Sequence, residues 1–384
     1  MKRWGIIGLV LVMAMGWLPG RARAVEMDLP VKSAVLMDAA TGTVLYEQDA
    51  HEKLPPASVT KVMTMLLVME AIDSGRIGWQ DPVTASDTAA GKGGSQIYLK
   101  AGEVMTVEAL LKSVAVSSAN DAACALAEHL SGSETAFVSA MNERAAQLGM
   151  TDTCFVNCTG LDDDAAAKAH LTSAYDIALM SRQLLTYHPD IRKYTTIWMD
   201  TVRDGTFGLA NTNKLIRFYS GATGLKTGYT SQAGFCLSAS AQREGMELIA
   251  VVLGAENSQD RFNACKSMLD HGFATYALIT PALSGEGTVP VKLGKEKQVP
   301  AVLGASGALL IQKSQRDSVT LEQSLYPEIT APVSRGQRLG TLTVKSGQQV
   351  LAELPLVAGQ EVGRQSFWDI FRRILGWIGF GKGA

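Results

Sequence analysis

Several things are scarce in this chain of 384 residues, and each scarcity removes a class of function. Basic residues are not in excess, since 35 Lys and Arg stand against 37 Asp and Glu. With nothing spare to neutralise phosphates, the composition does not suit a nucleic-acid binder. Histidines number five (His51, His129, His170, His188 and His271), scattered and without an H-E-x-x-H pair, so a metal hydrolase is not indicated. Cysteines also number five: Cys124, Cys154, Cys158, Cys236 and Cys265. An odd count leaves at least one unpaired, and the spacings match no zinc pattern. Cys154 and Cys158 are near enough in sequence to pair in an oxidising compartment, but small buried hydrophobes is the plainer expectation for all five. Neither a metal nor a cofactor is expected. No internal repeat and no low-complexity tract stands out.

A long apolar run is missing too. Lys2 and Arg3 precede an apolar stretch from Trp4 to Leu18, which is followed by Pro19, Gly20 and Ala22-Arg23-Ala24. That stretch falls short of the ~20 residues that span a bilayer. A positive start, a short apolar centre and an A-x-A end describe a cleavable secretory signal over residues 1–24. Its removal takes Lys2, Arg3, Arg21 and Arg23 and no acid from a chain of net charge −2, leaving −6. The mature protein is expected outside the cytoplasm.

What is present is an ordinary globular balance, 47% apolar and 19% charged. It excludes a disordered chain, and the length suggests two or three domains. Ser33–Met37 and Thr43–Glu47 read as strands joined by the turn Asp38-Ala-Ala-Thr-Gly42. From Ser58 to Ile72 the chain reads as one helix, apolar on all sides and therefore buried at the centre of a domain. Residues 106–130 read as two helices flanking Ser117-Ser-Ala-Asn-Asp121, and 134–148 and 172–186 as two more. Phe235–Ala241 and Glu247–Leu253 form a hairpin around Arg243-Glu244-Gly245, and Gln259–Tyr276 is helical. Strands at both ends of residues 25–280 with helices between them predict an α+β domain, helices packed on an antiparallel sheet.

Beyond Pro281-Ala-Leu-Ser-Gly-Glu-Gly287 the pattern becomes short and alternating, and residues 284–360 read as a small all-β sandwich. The last 21 residues differ again. Phe367, Trp368, Phe371, Ile374, Leu375 and Ile378 draw one apolar stripe on a helix, with Asp369, Arg372 and Arg373 opposite. With Arg364 and Lys382, residues 364–384 carry +3. An aromatic stripe against a basic face predicts a helix lying in a membrane interface, the alternative being a helix docked on its own domain.

Three short motifs occur in order: Ser58-Val-Thr-Lys61 opening a helix, Ser118-Ala-Asn120, and Lys226-Thr-Gly228 just before a strand. A serine hydroxyl is a weak nucleophile without an adjacent base. On a helix, positions three apart share a face, which brings Lys61 within reach of Ser58. A lysine acts as base only when burial or a neighbouring cation lowers its pKa. Ser58 at a helix N-terminus also has backbone N–H groups where an oxyanion develops. Ser118 is placed to pass a proton to a leaving amine, and Asn120 to hold a substrate amide. Lys226 and Thr227 offer a cation and a hydroxyl to a carboxylate, while Gly228 lets a substrate backbone lie against the strand. Each motif alone is commonplace, but the ordered trio on a secreted chain is specific.

With these motifs the chain resembles the D-alanyl-D-alanine carboxypeptidases, low-molecular-mass penicillin-binding proteins of the serine peptidase type. Pro55-Pro-Ala-Ser-Val-Thr-Lys61, Ser118-Ala-Asn-Asp-Ala122, Asn157-Cys-Thr-Gly-Leu-Asp162 and Gly224-Leu-Lys-Thr-Gly-Tyr-Thr230 all read like segments of that family. The resemblance implies a β-lactamase/transpeptidase-like domain, a β-rich C-terminal domain and a terminal anchor. It implies that Ser58 is acylated by a peptidoglycan stem peptide ending in D-Ala-D-Ala, or by a β-lactam, with Lys61 as base and Ser118 and Asn120 completing the proton network. Lys226, Thr227 and Gly228 would receive the terminal carboxylate. Arg261 stands where the family supplies an arginine to it, the alternative being a surface ion pair. The backbone N–H groups of Ser58 and Tyr229 would form the oxyanion hole. Ala119 replaces the usual glycine of the second motif, and Tyr229 stands where some members have histidine.

Three other readings use much of the same chemistry. A β-lactamase of class A needs a glutamate to activate the deacylating water, and residues 121–225 contain no E-x-x-L-N segment to supply it. A silent penicillin-binding module would not need intact Ser58, Lys61 and Lys226. A D,D-endopeptidase acting on cross-links would use the same residues in a differently shaped site.

Overall fold

The structure is a computed structural model that describes residues 27–163, 165–283, 287–304 and 307–377. The expected leader lies outside these residues, as do Ile378 and Lys382 of the terminal segment. Antiparallel strands run in the order Val44–Gln48, Ser33–Asp38, Met246–Ala255, Gly234–Arg243, Ala222–Thr230. Adjacent side chains on a strand point to opposite faces, so Val35, Met37 and Val251 join one apolar cluster while Leu36, Leu248 and Val252 join another. Helix Ser258–Thr275 covers the second face with Phe262, Cys265, Met268 and Leu269.

The first face is covered by the helical block. Helix Lys61–Asp73 sits at its centre, with ten of its residues, from Lys61 to Met69 and Ala71, buried. A helix buried all round fits its lack of a polar face. Helices Val107–Ser117, Asn120–Ser131, Glu134–Gln147 and Ala174–Tyr187 surround it. Thr106, Ser133 and Ser173 cap three of these by accepting the backbone N–H three residues on, the local reason those helices start where they do. The helix expected from Ser58 begins instead at Lys61, because residues Ala57–Thr60 form a preceding turn of 3-10 helix.

The chain leaves this domain through strand Tyr276–Ile279, which pairs with Leu309–Gln312 of the β-rich part. There six strands follow one hydrogen-bonded order around a cluster that includes Val289, Val299, Leu342 and Leu356. The mixed α+β expectation, with a separate β-rich part, agrees with this arrangement. A final helix spans Phe367–Trp377. Among the described residues no helix is long and apolar enough to cross a membrane.

Candidate active site

Ser58 occupies the turn that feeds the central helix, and Lys61 is the first residue of that helix. The i, i+3 spacing delivers what it promised: Lys61 Nζ lies 2.8 Å from Ser58 Oγ and donates to it. A second bond, also 2.8 Å, runs from the same amine to the carbonyl of Thr159. Lys61 has no solvent exposure. Burial lowers its pKa from the ordinary lysine value to about 7, against a smaller upward pull from Cys158 and Asp121. An amine that is half neutral near pH 7 has a lone pair to accept the serine proton while an N–H still holds the Thr159 carbonyl.

The Thr159 carbonyl is itself fixed by a tight turn. Asn157 Oδ1 accepts from the backbone N–H groups of Thr159 and Gly160, and its amide donates to Leu161 O. Gly160 has φ +80, and a methyl there would fall 1.8 Å from the Ala57 carbonyl, so only glycine lets this turn lie against the nucleophile turn.

Ser118 sits in a left-handed conformation, φ 63, at the junction of the helices ending at Ser117 and beginning at Asn120. Asn120 donates its amide to Gly93 O and its backbone N–H to Ser95 O, both at 2.7 Å. Its Oδ1 is buried and has no partner among the described residues, leaving an acceptor suited to a substrate amide N–H. Asp121 accepts from the N–H groups of Ile97 and Leu99 and so ties the 93–99 loop to the same junction.

Lys226-Thr-Gly228 lies within the edge strand Ala222–Thr230, not before a strand as expected from the sequence. Gly228 is the closest approach: a methyl there would stand 2.6 Å from Pro56 O and 3.1 Å from Ser58 N. The nucleophile turn therefore packs directly against the strand at Gly228. Lys226 is fully buried, and burial, followed by Lys61 and Arg261, pushes its pKa well down. Its Nζ donates to Thr227 O, and the Thr227 hydroxyl donates to Thr212 Oγ1. Tyr229 is exposed and its ring packs on that of Phe235, tilted by 32° with centroids 4.3 Å apart.

Arg261 is not the surface ion pair weighed against its family role, since it is only 8% exposed and has no acidic partner among the described residues. Its guanidinium lies over the Phe235 and Phe262 rings and donates to the carbonyls of Gly228 and Cys236. It braces the strand that carries Gly228.

The cysteines are arranged differently from the pairing considered in the sequence. Cys158 lies beside Cys124 and Glu134, their ligand atoms all within 4.8 Å, while Cys154 is exposed and apart from that group. Cys158 donates its thiol and its N–H to Glu134, whose other oxygen receives Lys92 Nζ.

Thr212 and the 93–99 loop were not picked out by sequence reasoning, and Thr159 only as a member of the segment Asn157-Cys-Thr-Gly-Leu-Asp162, with no role given. Thr159 and the loop act through backbone atoms, which have no side-chain signature.

A serine bonded to a buried lysine, a serine and asparagine at a helix junction, and a lysine-threonine-glycine edge strand define an active-site-serine hydrolase of the penicillin-binding class. Residues 21–257 match the D-alanyl-D-alanine carboxypeptidase family, and residues 278–364 match the penicillin-binding protein 5, C-terminal domain. The D-alanyl-D-alanine carboxypeptidase DacF of Bacillus subtilis is 43% identical over 93% of this chain and 92% of its own. The crystal structure of penicillin binding protein 5 from Haemophilus influenzae superimposes with a TM-score of 0.77 at 29% identity, covering 89% of this chain and all of that one. Penicillin-binding protein D2 from Listeria monocytogenes, solved in its ampicillin-bound form, covers 65% of this chain and all of its own at 32% identity and a TM-score of 0.57. The chain belongs to the D-alanyl-D-alanine carboxypeptidase family of serine peptidases.

Proposed function

We propose that Ser58 carries the acyl group while this carboxypeptidase removes the terminal D-Ala from peptidoglycan stem peptides. The carrying observation is the 2.8 Å contact between Ser58 Oγ and a fully buried lysine amine whose pKa lies near 7. Neutral Lys61 takes the hydroxyl proton as Oγ attacks the penultimate D-Ala carbonyl. The N–H groups of Ser58 and Tyr229 receive the oxyanion. As the C–N bond breaks, Ser118 gives its proton to the leaving D-Ala amine and takes back the one held by Lys61, which restores the neutral lysine, and Asn120 Oδ1 accepts from the substrate amide. Lys226, Thr227 and Gly228 receive the terminal carboxylate, whose negative charge favours the protonated form of Lys226 that burial opposes. Arg261 supports that carboxylate site through the Gly228 carbonyl. Water then releases the shortened peptide, again with Lys61 as base. Neither Ser58 nor Lys61 has a carboxylate among its hydrogen-bond partners in the described residues, which supports a lysine-based rather than a glutamate-based deacylation. A β-lactam enters by the same acylation.

In the same reading residues 25–280 form the catalytic domain and 284–360 the β-rich domain, residues 1–24 are a cleaved leader, and the protein works at the outer face of the cytoplasmic membrane. The terminal helix lies on that membrane through Phe367, Trp368, Phe371 and Ile374. All four are exposed, which supports a membrane partner over a helix docked on its own domain.

The test is D-Ala release from a D-Ala-D-Ala peptide and covalent labelling by a fluorescent penicillin, in wild type and Ser58→Ala. Both activities disappear in the variant, with labelling reduced to background. Labelling that persists would show that another residue is the nucleophile, and rapid turnover of the penicillin would replace the carboxypeptidase reading with a β-lactamase.

A further inference from the structure

The nucleophile turn is held from beneath by a hydrogen-bond chain that the steps above do not use. His170 is buried, and its Nδ1 accepts the backbone N–H of Val156 at 3.1 Å, with that of Asn157 at 3.4 Å. A backbone N–H can only donate, so Nδ1 bears no proton and the ring is the neutral Nε2–H tautomer. Burial, with a further push from Lys61, depresses the pKa of the ring to about 4, in keeping with that tautomer. Nε2 lies 2.8 Å from Thr60 Oγ1, so Nε2–H donates to the hydroxyl. The threonine proton must then go elsewhere, and it goes to the Ala57 carbonyl at 2.8 Å. Every direction in the chain is fixed by its two ends, a backbone donor and a backbone acceptor.

The acceptor matters because the Ala57 carbonyl and the Ser58 N–H belong to one peptide plane. Ala57 itself has φ 48, a left-handed conformation uncommon for a residue with a side chain. Strain of this kind persists only where surrounding contacts over-determine it. Here the carbonyl is pinned between the Thr60 hydroxyl and the turn at Gly160.

We propose that His170 and Thr60 are positioning residues that hold the Ala57–Ser58 peptide so that the Ser58 N–H is aimed at the developing oxyanion. Neither side chain touches substrate; both act through the orientation of one backbone group. Loss of an oxyanion donor typically costs about 10²–10³ in rate, and misaiming one costs part of that. The inference rests on the Ser58 acylation reading, which the Ser58→Ala experiment tests separately.

The experiment uses the full chain and a fluorescent penicillin in stopped flow, separating the acylation rate constant from the dissociation constant of the preceding complex. Thr60→Val keeps the shape and removes the hydroxyl. His170→Asn keeps an acceptor for the backbone N–H but withdraws the donor from Thr60. Each lowers the acylation rate constant by roughly 30-fold, leaves the dissociation constant within about threefold, and the double variant is no slower than either alone. Thr60→Ser and His170→Gln, which restore a hydroxyl and a donor at Nε2, recover to within about fivefold of wild type. Thr60→Val acylating within about threefold of wild type would overturn the proposal, as would effects that multiply in the double variant. Should His170→Asn fail to fold, the Thr60→Val and Thr60→Ser pair decides alone.

Discussion

The central helix Lys61–Asp73 carries an amine with no solvent exposure, whereas the terminal helix Phe367–Trp377 leaves Phe367 73% and Trp368 65% exposed. One removes a charge-bearing group from water, and the other leaves aromatic rings in it. Burying an ionised amine is costly, so Lys61 responds by giving up its proton more easily, which is the property a general base needs. Exposed rings have no such internal remedy. Phe367, Trp368 and Phe371 touch one another, with centroids about 6 Å apart, and their remaining exposed surface is the apolar patch that the proposed membrane contact would cover. The two helices put opposite kinds of group in the less favourable environment, a cation-forming amine inside and aromatic rings outside, and the proposed roles, base and membrane anchor, follow from that difference.

The buried half of this comparison breaks most severely at Gly228. Adding a methyl 2.6 Å from the Pro56 carbonyl must move the edge strand off the nucleophile turn. Gly228→Ala therefore lowers acylation by fluorescent penicillin by about 10²-fold, in line with the cost of a misplacement near 1 Å. A variant that folds normally and acylates at the wild-type rate would show that the strand's close approach is not needed.

The exposed half predicts a smaller and separable effect. Deleting residues 364–384 weakens association with anionic lipid vesicles by at least about tenfold, and raised salt weakens the intact chain, because apolar burial and basic charge both contribute. The rate of D-Ala release in solution stays the same. Undiminished sedimentation of the truncated chain with vesicles would remove the terminal helix from the account.

Much of this was legible from spacing alone. Ser58 and Lys61 are three apart, so any helical geometry brings them together, and the Gly234–Arg243/Met246–Ala255 hairpin announces itself by two apolar runs around Glu244-Gly245. The terminal helix follows from its apolar stripe. What stayed hidden depends on tertiary contact. Thr159 contributes a carbonyl to an amine 98 positions away in sequence, and His170 reaches Thr60 across 110. Lys226-Thr-Gly228 reads from the sequence as preceding a strand but lies inside one, Ala222–Thr230, where the lysine is buried and the absence of a side chain at Gly228 lets the strand approach the nucleophile turn. The pairing weighed for Cys154 and Cys158 followed sequence proximity, while folding puts Cys158, in the loop after residue 154, next to Cys124 of helix Asn120–Ser131. The short pairs 82–84 with 104–106 and 199–202 with 207–210 were missed because three or four residues carry too little periodicity to register.

The most direct test of the central claim, that buried Lys61 is the neutral base for Ser58, is the pH dependence of acylation by fluorescent penicillin. Protonation removes the lone pair, so the acylation rate should climb with pH through a single ionisation near 7 and level off above it, following the lowered amine. A rate that is flat across that range, or that rises only as pH approaches the ordinary lysine value, would contradict it.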